Sequence, residues 1–160
     1  MNTEALRAEI AAHPGADDAA MVAILRASET VWTDTTPAAV EGVCRMAGII
    51  SRLTDLVAAH PAPSIARTVG MEFLGIITGR LSTIEMSNPT KRASIIAMLG
   101  ALQAVEWLSA DEVQAILAVA KTSRTRAAII GCDPIEQMDD ASAALMVAAA
   151  RALVTSALPR

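Results

Sequence analysis

The sequence predicts an all-α protein, a single-domain bundle of about six to eight helices. Three observations lead there. Ala, Leu, Met, Glu, Gln and Arg outweigh Val, Thr and aromatic residues, with one Phe, two Trp and no Tyr in 160 residues, and such side chains lose little rotamer freedom on a helix. Apolar residues recur three and four apart over most of the chain, the spacing of one buried helix face. Helix starts are written out as Thr36-Pro37, Asn88-Pro89, and Ser109 followed three residues on by Glu112. A chain of this length buries roughly two-thirds of its unfolded surface in one core. Residues 1–160 therefore read as one domain, with 1–35 as a candidate separate N-terminal helical arm.

The first helix ends in EIAAHPG, residues 9–15, and a twin of that ending, LVAAHPAP, occupies 56–63. His13 and His60 sit in last turns, where they suit the helix dipole, and Pro follows as the stop. Asp17 and Asp18 open the next helix, with Met21, Ile24, Leu25 and Trp32 at helical spacing before TDTTP breaks it. From Thr36 and Pro37 a longer helix is expected, buried along Val40, Val43, Ala47, Ile50, Leu53 and Val57. Glu41 with Arg45 and Arg52 with Asp55 read as ion pairs on its wet face.

Ser64 is placed to cap SIARTVGMEFLGIITGRL, with Val69, Phe73, Ile76, Ile77 and Leu81 as core candidates. Gly70, Gly75 and Gly79 each cost about 1 kcal/mol against Ala there. They point to close approach of a neighbouring helix in the same chain, or to a subunit contact on that face. In the connector IEMSNP, Ile84 and Met86 alternate with Glu85 and Ser87 before Asn88 and Pro89 start a helix striped by Ile95, Met98, Leu99, Leu102 and Val105. Ser109 and Glu112 form a capping box, followed by Val113, Ile116, Leu117 and Ala120.

KTSRTRAA, residues 121–128, then puts three cations into six residues of a chain whose net charge is −4. Lys121 suits a helix carboxyl end, and Ser123 is placed to cap a short helix through Arg126 to Ile130, stopped by Gly131. On a regular helix Arg124 and Arg126 diverge, so the cluster reads as a junction and not a phosphate grip. At least one Arg is expected to pair with a carboxylate, Asp133 or Glu136 being nearest in sequence. Asp139 or Asp140 caps a last helix that is small or apolar almost all round. Leu145, Ala148, Ala149 and Ala152 line one side, while Met146, Val147 and Val154 face elsewhere. Such a helix needs cover on several sides, from another subunit or from a bundle around it. Arg124, Arg126, Met146, Val147 and Val154 are the candidate interaction or packing residues.

Other roles lose support from composition. The longest small and apolar stretch, Ala141 to Leu158, contains Arg151, so no membrane span is expected. The acidic, amphipathic amino terminus lacks the pattern of a signal peptide, which places the chain in the cytoplasm. Cys44 and Cys132 stand apart from other ligand residues and read as buried free thiols, with no disulfide or metal site. Seventeen acidic against thirteen basic residues argue against a nucleic-acid partner. GxSxG, HExxH, phosphate-loop and dinucleotide motifs are absent from the sequence. The carboxylate pairs Asp17-Asp18, Asp111-Glu112 and Asp139-Asp140 fall in first turns, where they offset the dipole. The expectation is no enzyme: no catalytic residue, no cofactor and no metal.

The stretch MEFLGIITGRLSTIEMSNPTKRASIIAMLGALQAVEWLSADEVQAILAVAKTSRTRAAIIG resembles a group of small helical proteins encoded with tail and structural genes of tailed bacteriophages. The shared features fall on Ile84 to Pro89, Met98 to Leu102, Ser109 to Leu117, Ser123 to Gly131 with Arg126-Ala127 as its Arg-Ala step, and Asp139 to Ala144. EIAAHPGADDAAMVAIL is similar to the family's opening but lacks its Gly-Tyr segment. The resemblance implies a non-enzymatic virion component at the tail, baseplate or tip, or fibre-attachment region. It would pack against other virion proteins as a homo-oligomer or ring, in the virion and, during assembly, in the host cytoplasm. The alternative is a small helical regulatory or adaptor protein that binds nucleic acid or an acidic partner through residues 121–126.

Overall fold

A computed structural model describes residues 1–156, apart from the side chains of Arg80 and Ser156. The protein is helical, as the sequence predicts. Eight helices of nine or more residues, two of four residues, one π-helical turn and two short strands occur among the described residues. They form two compact units, residues 1–31 with 123–160, and residues 32–122. Residues 1–31, within the stretch set apart as an arm, pack with the C-terminal part of the chain.

The first unit contains α1 (Thr3–Ala12) and α2 (Asp18–Arg26), the short α8 (Arg126–Ile129) and α9 (Pro134–Gln137), and α10 (Asp140–Ser156). Asn2 and Asp17 cap the first two helices, accepting from the N–H groups of Ala5 and Ala20. His13 terminates α1, its backbone N–H donating to Ile10 O. Leu6, Ile10, Met21, Leu25, Ile135 and Val147 fill the core, with Ala127, Ala143 and Ala150 letting the helices close on one another. Two cations tie α2 and α10: Arg151 donates to Asp18 Oδ1 and Ala16 O at 2.8 Å each, and Arg26 to Asp140 and Met138 O.

The second unit holds α3 (Pro37–Met46), α4 (Ile49–Ala59), α5 (Ile65–Gly75), α6 (Pro89–Ala104) and α7 (Ala110–Ala118), with a π-helical turn at Ile76–Arg80. The expected caps are present: Thr36, Ser64 and Asn88 each accept from the next turn's N–H groups, and Ser109 with Glu112 makes the reciprocal box. The single long helix expected from Pro37 is broken at Gly48, which takes φ +67° and splits it into α3 and α4. The break moves burial onto Val40, Cys44, Ile49 and Leu53, while Ala47 is exposed. It also turns Arg52 from Asp55 to Glu112, whose carboxylate oxygens it reaches at 2.7 and 2.8 Å. Gly70 explains its own cost: a Cβ there would stand 2.8 Å from both Trp107 and Val57 side chains.

Two helical expectations give way to strands, β1 (Ser28–Trp32) and β2 (Lys121–Thr125). Thr30, Val31 and Trp32 in one and Thr122 and Thr125 in the other suit a pleated backbone. Thr33 N–H donating to Ala120 O and Arg126 N–H to Ala27 O close the two ends, which makes the pair antiparallel. Thr125, and not Ser123, then caps α8 by accepting from Ala128 N–H.

Candidate functional site

Helix α10 carries the most exposed apolar face among the helices of the first unit. At 3.6 residues per turn, residues 143, 147, 150 and 154 fall on one side, and 141, 145, 149 and 152 on the other. The first side is the inner one: Ala143, Val147 and Ala150 are buried and Val154 is half-buried. Met146, between the two sides, packs on the same core. Of the three apolar residues singled out from sequence, Val147 therefore works inside its own unit, and Met146 and Val154 are partly turned there.

The outer side consists of Ala141, Leu145, Ala149 and Ala152, flanked by Leu153, with Leu145 72% and Leu153 45% exposed. No charged residue lies among them. Arg151 is at the margin and turns to Asp18. Covering a leucine that exposed is worth about 1–2 kcal/mol. The leucines were hidden from sequence inspection because a helix apolar all round does not say which side is inside. Arg151 with Asp18, and Arg26 with Asp140, provide the missing orientation.

The three cations of KTSRTR part company. Lys121 at the start of β2 lies over the Trp32 ring. Arg124 is exposed, with no ion pair among the described residues. Arg126, at the first position of α8, reaches back to α1, where its Nε and Nη2 donate to the two Glu9 carboxylate oxygens at 3.0 and 2.7 Å. The expected pairing of an arginine thus occurs, but with Glu9, 117 residues away, and not with Asp133 or Glu136.

Glu9 shares its helix face with Leu6 and Ile10 and is 8% exposed, so its carboxylate requires a partner there. The hydrogen bond from Arg126 holds the Glu9 carboxyl below the usual range, against desolvation that pushes it up. Reciprocally, Glu9 raises the Arg126 value. Glu29 adds a looser contact to Arg126 at 3.8 Å, and His13 Nδ1 lies 3.9 Å from Glu9 and within bonding distance of its backbone oxygen. A carboxylate at an apolar helix position was the sequence signal for this cluster. Its geometry fastens α1 to α8.

The chain matches no family model, no curated protein and no solved structure. Its own geometry therefore carries the functional reading.

Cys44 and Cys132 are buried free thiols, and burial raises Cys44 to about 11. Among the described residues there is no group of three or more His, Cys, Asp or Glu placed to hold a metal ion. No described helix is long and apolar enough to cross a membrane. The second unit has a partly open pocket of about 20 Å³ lined by Thr35, Phe73, Ile77, Ile84, Met86 and Leu117 among others, about the space of one water molecule.

Proposed function

We propose that this chain is a non-enzymatic structural component of a tailed-phage virion, acting by protein–protein packing in a symmetric assembly. The outer face of α10 carries the proposal. A solvated helix face normally holds charge, whereas here Leu145 and Leu153 are exposed among alanines and the nearest cation, Arg151, is engaged with Asp18. Exposed apolar residues that share one face are the mark of an interaction surface. The sequence resemblance supplies the particle, its proteins being the partners, with assembly in the host cytoplasm.

The decisive comparison is between the two faces. Leu145→Lys with Leu153→Lys, both exposed, should leave the melting temperature nearly unchanged and abolish incorporation into particles, read by mass spectrometry of purified virions. Val147→Ala, on the inner face, should instead lower stability by about 2 kcal/mol. Normal incorporation of the double lysine variant, or absence of the wild-type chain from purified particles, would refute the proposal.

A further inference from the structure

Beside the small pocket of the second unit lies a larger groove of about 330 Å³, a volume that suits a small ligand. Ile76, Ile84 and Ile95 line both, so the two share a wall. Leu81 and Met98 complete the apolar lining of the groove, and Leu81 is 51% exposed. The residues come from α5 and the π-helical turn that follows it, from the connector 81–85, and from α6. Wide turns of this kind are rare and recur at functional sites. The connector is pinned from the other strand of chain: Ile84 and Thr35 exchange backbone hydrogen bonds of 2.7 and 3.0 Å. The groove therefore stands on a fixed backbone, which spares a ligand the cost of ordering it.

Its charges are unequal. Among the described residues, Glu72, Glu85 and Lys91 are the charged groups that line it. Lys91 pairs with Glu85, and its charge is shared with Asp34, whose carboxyl is lowered first by its bonds from Ser87 and then by Lys91. Glu72 is exposed and has no ion pair among the described residues. Two carboxylates against one ammonium leave the lining with one negative charge in excess, beside half-buried Ile76, Ile95 and Met98.

We propose that this groove binds a small organic monoammonium ion, its apolar chain laid along the isoleucines and Met98 and its N–H groups on the Glu72 carboxylate. An ammonium group offers three donors and the charge that the lining lacks. Burial of the chain's methylenes supplies the rest of the affinity. A carboxylic acid of the same shape would be repelled by the same excess charge.

Isoleucine methyl signals in heteronuclear NMR spectra read the binding directly. Ile95→Val removes one signal and so assigns it, and Ile10 and Ile135, buried in the first unit, serve as controls. Hexylammonium chloride, titrated against sodium chloride at constant ionic strength, should shift the Ile95 signal saturably, with a dissociation constant of about 1 mM, and leave the controls in place. Hexanoate should bind about tenfold more weakly. Glu72→Gln should weaken hexylammonium about fivefold, whereas Glu4→Gln, an exposed carboxylate of the first unit, should leave it unchanged. Absence of a saturable shift, equal movement of the Ile10 and Ile135 signals, or equal affinity for hexanoate overturns the proposal. So does unchanged affinity in Glu72→Gln, or tighter binding of a capped lysine, which stands for the side chain of a protein partner.

Discussion

Replacing Arg126 with Met removes both donors that hold the Glu9 carboxylate while keeping much of the side chain's apolar stem. The geometry sets the magnitude. Glu9 is almost fully buried, and the two bonds at 3.0 and 2.7 Å are bidentate and charge-assisted. Breaking a fully buried pair on one side costs about 3–5 kcal/mol. Arg126, however, is one-third exposed, so water reaches the gap and His13 stays near; about 2 kcal/mol is the expected loss. Urea unfolding followed by far-ultraviolet circular dichroism measures it. Glu9→Gln and the double variant complete a cycle whose coupling should be about 1–2 kcal/mol. The pH dependence has a fixed sign. Since the folded Glu9 value is depressed, the pair's contribution is complete above the usual glutamate range and disappears as pH falls through the lower folded value. The wild type should therefore lose its advantage over Glu9→Gln in acid. An unchanged urea midpoint in Arg126→Met, or a coupling near zero, would refute this account.

Gly70 and Gly75 should respond in opposite directions to alanine. At Gly70 the new methyl meets Trp107 and Val57 at 2.8 Å; overpacking of about 1–3 kcal/mol outweighs the helix gain of about 1, and the melting temperature falls. At Gly75 nothing lies within 4 Å, and thermal unfolding should show a gain of about 0.5–1 kcal/mol. Burial and a thiol raised to about 11 make Cys44 inert: a neutral-pH thiol reagent should label it in the native protein only at the rate of unfolding, and rapid stoichiometric labelling would contradict its placement.

Caps and short-range spacing were legible in the sequence because they are decided within four residues. Thr36, Ser64, Asn88 and the Ser109–Glu112 box stand where their residue types put them. Val113, Ile116, Leu117 and Ala120 are all buried as their period requires. The strands were not legible, since five residues such as KTSRT carry no helix-breaking signal and become extended only by pairing with SETVW about ninety residues away. Gly48 illustrates the same limit from the other side: a glycine inside an apolar period is compatible with helix, and its left-handed turn follows from the packing of Cys44 and Ile49 on either side. At the Arg126 cluster the need for a partner was readable, but its identity was not, because Glu9 competes with Asp133 and Glu136 only once α1 has folded against α8.

The unequal treatment of the two sides of α10 bears most directly on the proposed role. The core of the first unit includes Ala127, Ala143 and Ala150 beside its larger apolar residues, and at these small positions it gains little area per residue and relies on close helix approach. The outer side repeats that chemistry in Ala141, Ala149 and Ala152, and adds two leucines eight residues apart, Leu145 and Leu153. Small residues cost almost no side-chain entropy when covered and admit a neighbour at short interaxial distance. A solvent-facing role would favour Lys or Glu at these positions, which keep helix propensity and add solubility. The charged residues of this helix, Asp140 and Arg151, are both drawn into contacts with α2. What is left outside is a surface suited to another helix, and the lysine substitutions at 145 and 153 remove that suitability without touching the inner face on which the unit depends.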